Sequence, residues 1–120
     1  MITCPKEHDE QKALMRWVDL MAPQMPLLHL LYAVPNGGDR HPATAARLKA
    51  EGVKPGVPDL HLPVSRRGYH GLYIEMKRQK GGRLSPEQKQ WKDDLQNQGH
   101  RVEVCHGFEE ARDALLDYLK

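Results

Sequence analysis

The stretch from Gly56 to Lys77 limits what this chain can fold into more than any other. It reads GVPDLHLP, then a polar turn region containing SRRGYHG, then LYIEMK. Two short apolar runs around one cluster of turn-formers predict a β-hairpin. Residues two apart in a strand share a face, so Glu75 and Lys77 stand side by side. Asp59, straight after Pro58 in the first run, reaches the same place from the neighbouring strand. Two carboxylates and one ammonium then converge on one point. That donor set suits a hard divalent cation with a positive charge beside it, and Mg²⁺ takes few protein carboxylates together with waters and phosphate oxygens. The backbone carbonyl of Met76 offers a further ligand. Lys77 would lie beside an activated water, where it can orient it or stabilise developing charge.

The remaining chain reads as helices and strands around that hairpin. Leu14, Trp17, Val18 and Met21 recur at helical spacing, which predicts a helix from about Glu7 to Met21, stopped by Pro23 and Pro26. Glu7, Gln11, Leu14 and Val18 follow one face, with Glu10 close to it, so either Glu7 or Glu10 can point inward and complete the metal shell. The apolar run Leu27 to Val34 is expected to be a strand. PNGGDR follows, a Gly-rich loop whose amides can approach a phosphate, with Asn36, Arg40 and His41 as polar handles. Ala43 to Glu51 reads as a short helix ended by Gly52.

After the hairpin, Ser85 and Pro86 open a helix to about Gln98, with Gln88, Trp91 and Leu95 on one face and Gly99 as the stop. His100 to His106 reads as a half-buried strand with Val102 and Val104 inward, and Glu109 to Leu119 as an amphipathic helix. A strand-helix-strand unit after a hairpin implies an α/β fold, a mixed sheet with helices packed on it.

Length and composition bound the function. The 120 residues, 39% of them apolar, fit one small domain spanning 1–120. No apolar run is long enough for a membrane span, and no signal peptide is read, so a cytoplasmic protein is expected. Cys4 and Cys105 form no paired metal-ligand spacing, so neither structural zinc nor a required disulfide is expected. The net charge of +2 is mild, but Arg66, Arg67, Lys77, Arg78, Lys80 and Arg83 crowd around the hairpin. With Arg40, the arginines and Lys80 are candidates for contacts that position a duplex without reading its bases.

Taken together these blocks resemble a PD-(D/E)xK nuclease, specifically a stand-alone VRR-NUC (virus-type replication-repair nuclease) domain of the phage and bacterial kind. The resemblance rests on Glu7-x-x-x-Gln11, PNGGDR at 35–40, ARLKAEGVKPGVPDL at 46–60, YIEMK at 73–77, and SPEQKQW at 85–91 with Gly99 after it. It implies a restriction-endonuclease-like fold, with Asp59 and Glu75 as metal ligands, Lys77 as the catalytic lysine, Glu7 as the helix acid and Gln88 as the motif glutamine. It implies Mg²⁺ or Mn²⁺ dependence and hydrolysis of DNA phosphodiesters in a bacterial or phage-infected cell, in DNA repair. Stand-alone members act as homodimers on branched DNA, which makes four-way (Holliday) junctions the expected substrate. The competing readings are a non-catalytic DNA-binding module of the same fold, a flap nuclease and an RNA nuclease.

Overall fold

The computed structural model describes residues 4–35 and 41–120. The expected first helix is present as α1, Glu7–Met21, with Leu14 and Val18 buried one turn apart. The next apolar run departs from expectation. Pro26–Leu30 winds into a 3-10 turn, and only Tyr32–Ala33 is strand (β1). Pro26 starts a helical turn readily and has no N–H to give a ladder. Local bonds follow, Leu28 N to Met25 O and Leu31 N to Leu28 O, each close to 3 Å. Leu28 and Leu31 are therefore buried at a spacing of three, not two.

Helix α2, Pro42–Ala50, starts on a proline and is capped by the His41 side chain, which accepts from Ala43 N at 3.2 Å. It buries no residue. Strands β2, Leu60–Leu62, and β3, Leu72–Lys77, form the expected antiparallel hairpin. Helix α3, Pro86–Asn97, then crosses over to β4, Arg101–His106, which lies parallel to β3. Helix α4, Phe108–Tyr118, closes the order. The sheet runs β1-β2-β3-β4 and is mixed, as the element order requires.

The register sorts the two faces. Leu60, Leu62, Leu72, Ile74, Met76 and Cys105 face α1 and α4, where Leu14, Val18, Leu28, Ala111, Leu115 and Tyr118 complete one core. Glu75 and Lys77 lie on the opposite face, under the start of α3. Val102 and Val104 share that second face; Val102 is buried but Val104 is only half-buried, and the core takes Cys105 instead. The alternation along β4 was legible, but the thin cover of α3, which buries no residue of its own, decides which side is the core.

Candidate active site

Asp59 is the residue before β2. Leu60 pairs with Ile74, so one further step of the antiparallel register sets Asp59 opposite Glu75. The backbone fixes Asp59 in place: Met76 N–H donates to its Oδ2 at 2.7 Å. In a strand the carbonyl of a residue points to the same side as its N–H, so the Met76 carbonyl also faces Asp59. Asp59, Glu75 and Lys77 are 8%, 4% and 7% exposed, an unusual burial for charged residues. The Asp59 and Glu75 carboxyls are in hydrogen-bonding contact, and Lys77 Nζ stands 3.7 Å from Glu75 Oε2. Burial, then the Asp59 charge and the bond to it, push the Glu75 carboxyl up to about 9; Lys77 opposes this and Glu7 adds to it. Two like charges held this close out of water require a proton or a cation between them.

Gln88 locks the cluster. Its Oε1 accepts from Lys77 Nζ at 2.9 Å, and its Nε2 donates to Glu75 Oε2 at 3.2 Å. The same Oε1 accepts from Ser85 N at 2.9 Å, while Ser85 Oγ accepts from Gln88 N at 3.1 Å. This is a reciprocal capping box, so one amide starts α3 and aims the lysine. The sequence shows Ser85 as cap and Gln88 on the face of Trp91, the resemblance makes Gln88 the motif glutamine, and the S-x-x-Q spacing carries the box. Gly56 seats this helix start. It holds φ +91, and a Cβ there would come within 2.8 Å of the Glu87 backbone.

The two acids of α1 have separate fates. Glu7, half-buried, has its carboxyl raised by burial and then by the Asp59 charge, with Lys77 acting the other way. It shares with Asp59 a cleft of about 440 Å³, also lined by His8, Gln11, Ala33, Val34 and Pro35. Glu10 is buried elsewhere. Its Oε2 accepts from Phe108 N at 2.6 Å and its Oε1 from Gln79 Nε2 at 3.2 Å. Helix α4 begins at Gly107, which has no side chain to cap it, so Glu10 supplies the cap from another element. As a substitute ligand Glu10 is therefore unsuited, because its carboxylate is already committed. Gln79, unremarked in the sequence, fixes that carboxylate.

The basic residues also divide. Arg78, Lys80 and Arg83 are exposed on the connection that follows Lys77 directly. Arg66 and Arg67 lie in the hairpin turn, at the other end of the strands. Five residue steps separate Leu72 from Lys77, roughly 17 Å at about 3.3 Å each. Arg67 Nη2 donates to the Asp117 carbonyl at 2.9 Å, and Arg66 Nη1 to the Ser65 carbonyl at 2.9 Å. Arg66 and Arg67 are thus at the hairpin, as expected, but at its turn and away from the carboxylates. Asn36 and Arg40 lie outside the described residues.

Among the described residues no three His, Cys, Asp or Glu side chains form a ready cage for a metal. The chemistry offered is instead a carboxylate pair, a carbonyl and a nearby third acid. That set fits an ion such as Mg²⁺, which keeps much of its water and takes substrate oxygens.

A family model described as "VRR-NUC domain" matches residues 5–109. A solved structure described as "VRR_NUC domain protein" superposes with a TM-score of 0.81 at 28% identity, covering 98% of this chain and 90% of that one. Nothing among the curated proteins matches the chain.

Proposed function

This chain belongs to the VRR-NUC domain family, a nuclease-type family with this α/β fold, and on that premise we propose that it is a metal-dependent DNA endonuclease acting on four-way junctions. The observation that supports this most is the buried Asp59–Glu75 pair in contact, with the Lys77 amine 3.7 Å from Glu75. A structural role gives no reason to bury two acids against each other. Asp59, Glu75, the Met76 carbonyl and Glu7 would hold the ion. Bound Mg²⁺ or Mn²⁺ supplies Lewis-acid activation of water and neutralises charge on the phosphate. Lys77, anchored by Gln88, would donate to the attacking water and to the charge that develops as that water adds in line to phosphorus. The water gives up its proton to solvent, and the P–O ester bond opposite it breaks to release the departing strand end. Arg78, Lys80 and Arg83 take flanking phosphates.

A four-way junction has two-fold symmetry, so a homodimer places one site on each of two opposing strands. The apolar run Leu27–Leu31 and the last helix are mostly core and offer little surface for that contact: Leu28, Leu31, Ala111, Leu115 and Tyr118 are all buried. Among the described residues Leu20 and Leu27 are the large aliphatic side chains left exposed, with Tyr32 on the short edge strand β1. Among the described residues no helix is long and apolar enough to cross a membrane.

The test is a cleavage assay with linear, flap and four-way DNA and matched RNA, in Mg²⁺ and Mn²⁺ in turn. Cutting of the four-way DNA is expected, with Lys77→Ala and Asp59→Ala folded and inactive. Wild-type rates in either variant would overturn the roles assigned. Preferential cutting of flap or RNA would overturn the substrate.

A further inference from the structure

The cleft between Glu7 and Asp59 does not end at the carboxylates. Its residues His8 and Gln11 are also the first lining of a second groove, of about 450 Å³, which continues along α1 past Lys12, Met15 and Arg16 to Asp19. His8, Lys12 and Arg16 recur every four residues and so form one stripe on the helix. Gln11, Met15 and Asp19 form the parallel row at the same spacing. Lys12 and Arg16 are exposed, and among the described residues neither makes a hydrogen bond or ion pair. His8 stands 3.5 Å from Asp9. Their neighbours along the stripe stand about 6 Å apart, close to the step between successive phosphates of one nucleic-acid strand.

Two unpaired cations at that repeat, in a groove opening from the carboxylate cleft, match a polyanionic strand in charge, spacing and direction. We propose that this groove on α1 is a backbone track for the DNA strand leading into the site, with Lys12 and Arg16 each neutralising one phosphate. The proposal rests on the nuclease reading for the identity of its occupant. Asp19 sets the far limit of the track, since a carboxylate repels the next phosphate. The track lies along α1, whereas Arg78, Lys80 and Arg83 lie on the connection that follows β3, so the two sets come from different elements.

The test measures binding of a four-way junction and a linear duplex over a range of salt, with Ca²⁺ in place of Mg²⁺ to limit cutting. The variants are Lys12→Gln, Arg16→Gln and the double, beside Lys120→Gln. Lys120 makes the same change of charge at the hairpin-turn end, where it pairs with Asp117. Both track positions are exposed, and a melting curve checks the fold. Each track variant is expected to lower the slope of log K against log salt by about one, the double by about two, and Lys120→Gln by nothing. Unchanged slopes in the track variants, an equal loss in Lys120→Gln, or no DNA binding by the wild type would overturn the track. Cleavage by the wild type separates the two ideas. A wild type that cuts DNA while the variants keep their slopes retains the nuclease reading and loses the track. A wild type that cuts nothing while the slopes fall retains the track and loses the nuclease.

Discussion

Glu75 occupies a place that disfavours its own charge. The side chain is buried, Asp59 touches it, and its carboxyl is raised to about 9, while an unfolded chain ionises it near 4.5. Between those two values the folded protein holds a proton that the unfolded chain has lost. The contribution of Glu75 to stability without metal is therefore greatest below the lower value and falls as pH rises toward the upper one. Melting temperatures of metal-free protein from pH 5 to 9 should decline, and in Glu75→Gln that part of the decline should disappear. The amide carries no charge to desolvate, so Glu75→Gln should also gain about 1–3 kcal/mol at pH 7 in denaturant unfolding while losing cleavage. A loss of stability in that variant would show that the pair is structural cement. The residues that made this site visible in the sequence are Asp59, Glu75 and Lys77, because strand alternation and one hairpin fix their face without any tertiary knowledge. Glu7 against Glu10 was not decidable that way. The choice depends on the Phe108 N–H, 98 positions later in the chain, which claims Glu10.

Two helix starts carry the site, and each joins capping to function or packing. At α3, Ser85 and Gln88 cap reciprocally, but only Gln88 touches Lys77 and Glu75. Ser85→Ala should cost about 1 kcal/mol of stability and leave most of the cleavage rate. Gln88→Ala should cost a similar amount and lower kcat at least tenfold, since the lysine loses its anchor. Equal kinetic losses in the two variants would mean that the cap alone matters. At α4, Gly107 holds φ +98, and a Cβ there would come within 2.5 Å of Glu10 Oε2 and 2.8 Å of Gln79 Cγ. Gly107→Ala is expected to destabilise by roughly 2–4 kcal/mol in denaturant unfolding, through backbone strain plus displacement of the Glu10 cap. Element boundaries were legible wherever Pro, Gly or Ser punctuated the chain, as at Pro26, Gly52, Ser85 and Gly99. The apolar run from Leu27 misled because an unalternating run does not reveal its period, and Pro26 settled it as a turn.

Across the whole molecule the two ends of the sheet do different work. One end holds the buried carboxylates and the start of α3. The other holds an ion network in which Arg101 Nη2 meets Asp117 at 2.9 Å, Arg101 Nε meets Glu103 at 2.7 Å, and Arg67 reaches the same Asp117. Arg66 and Arg67 are near Lys77 in sequence, but the length of the hairpin sets them at its far end. Along an antiparallel pair, the turn is the point farthest from the open strand ends. Arg67→Ala is accordingly expected to cut DNA at close to the wild-type rate and to lose less than about 1 kcal/mol of stability, its ion pair being half exposed. The most direct measurement of the central claim is a calorimetric titration of Mn²⁺ into wild type, Asp59→Asn and Glu75→Gln. The account predicts an ion bound by the wild type and an affinity at least tenfold weaker in each variant, and undiminished binding in either one would contradict it.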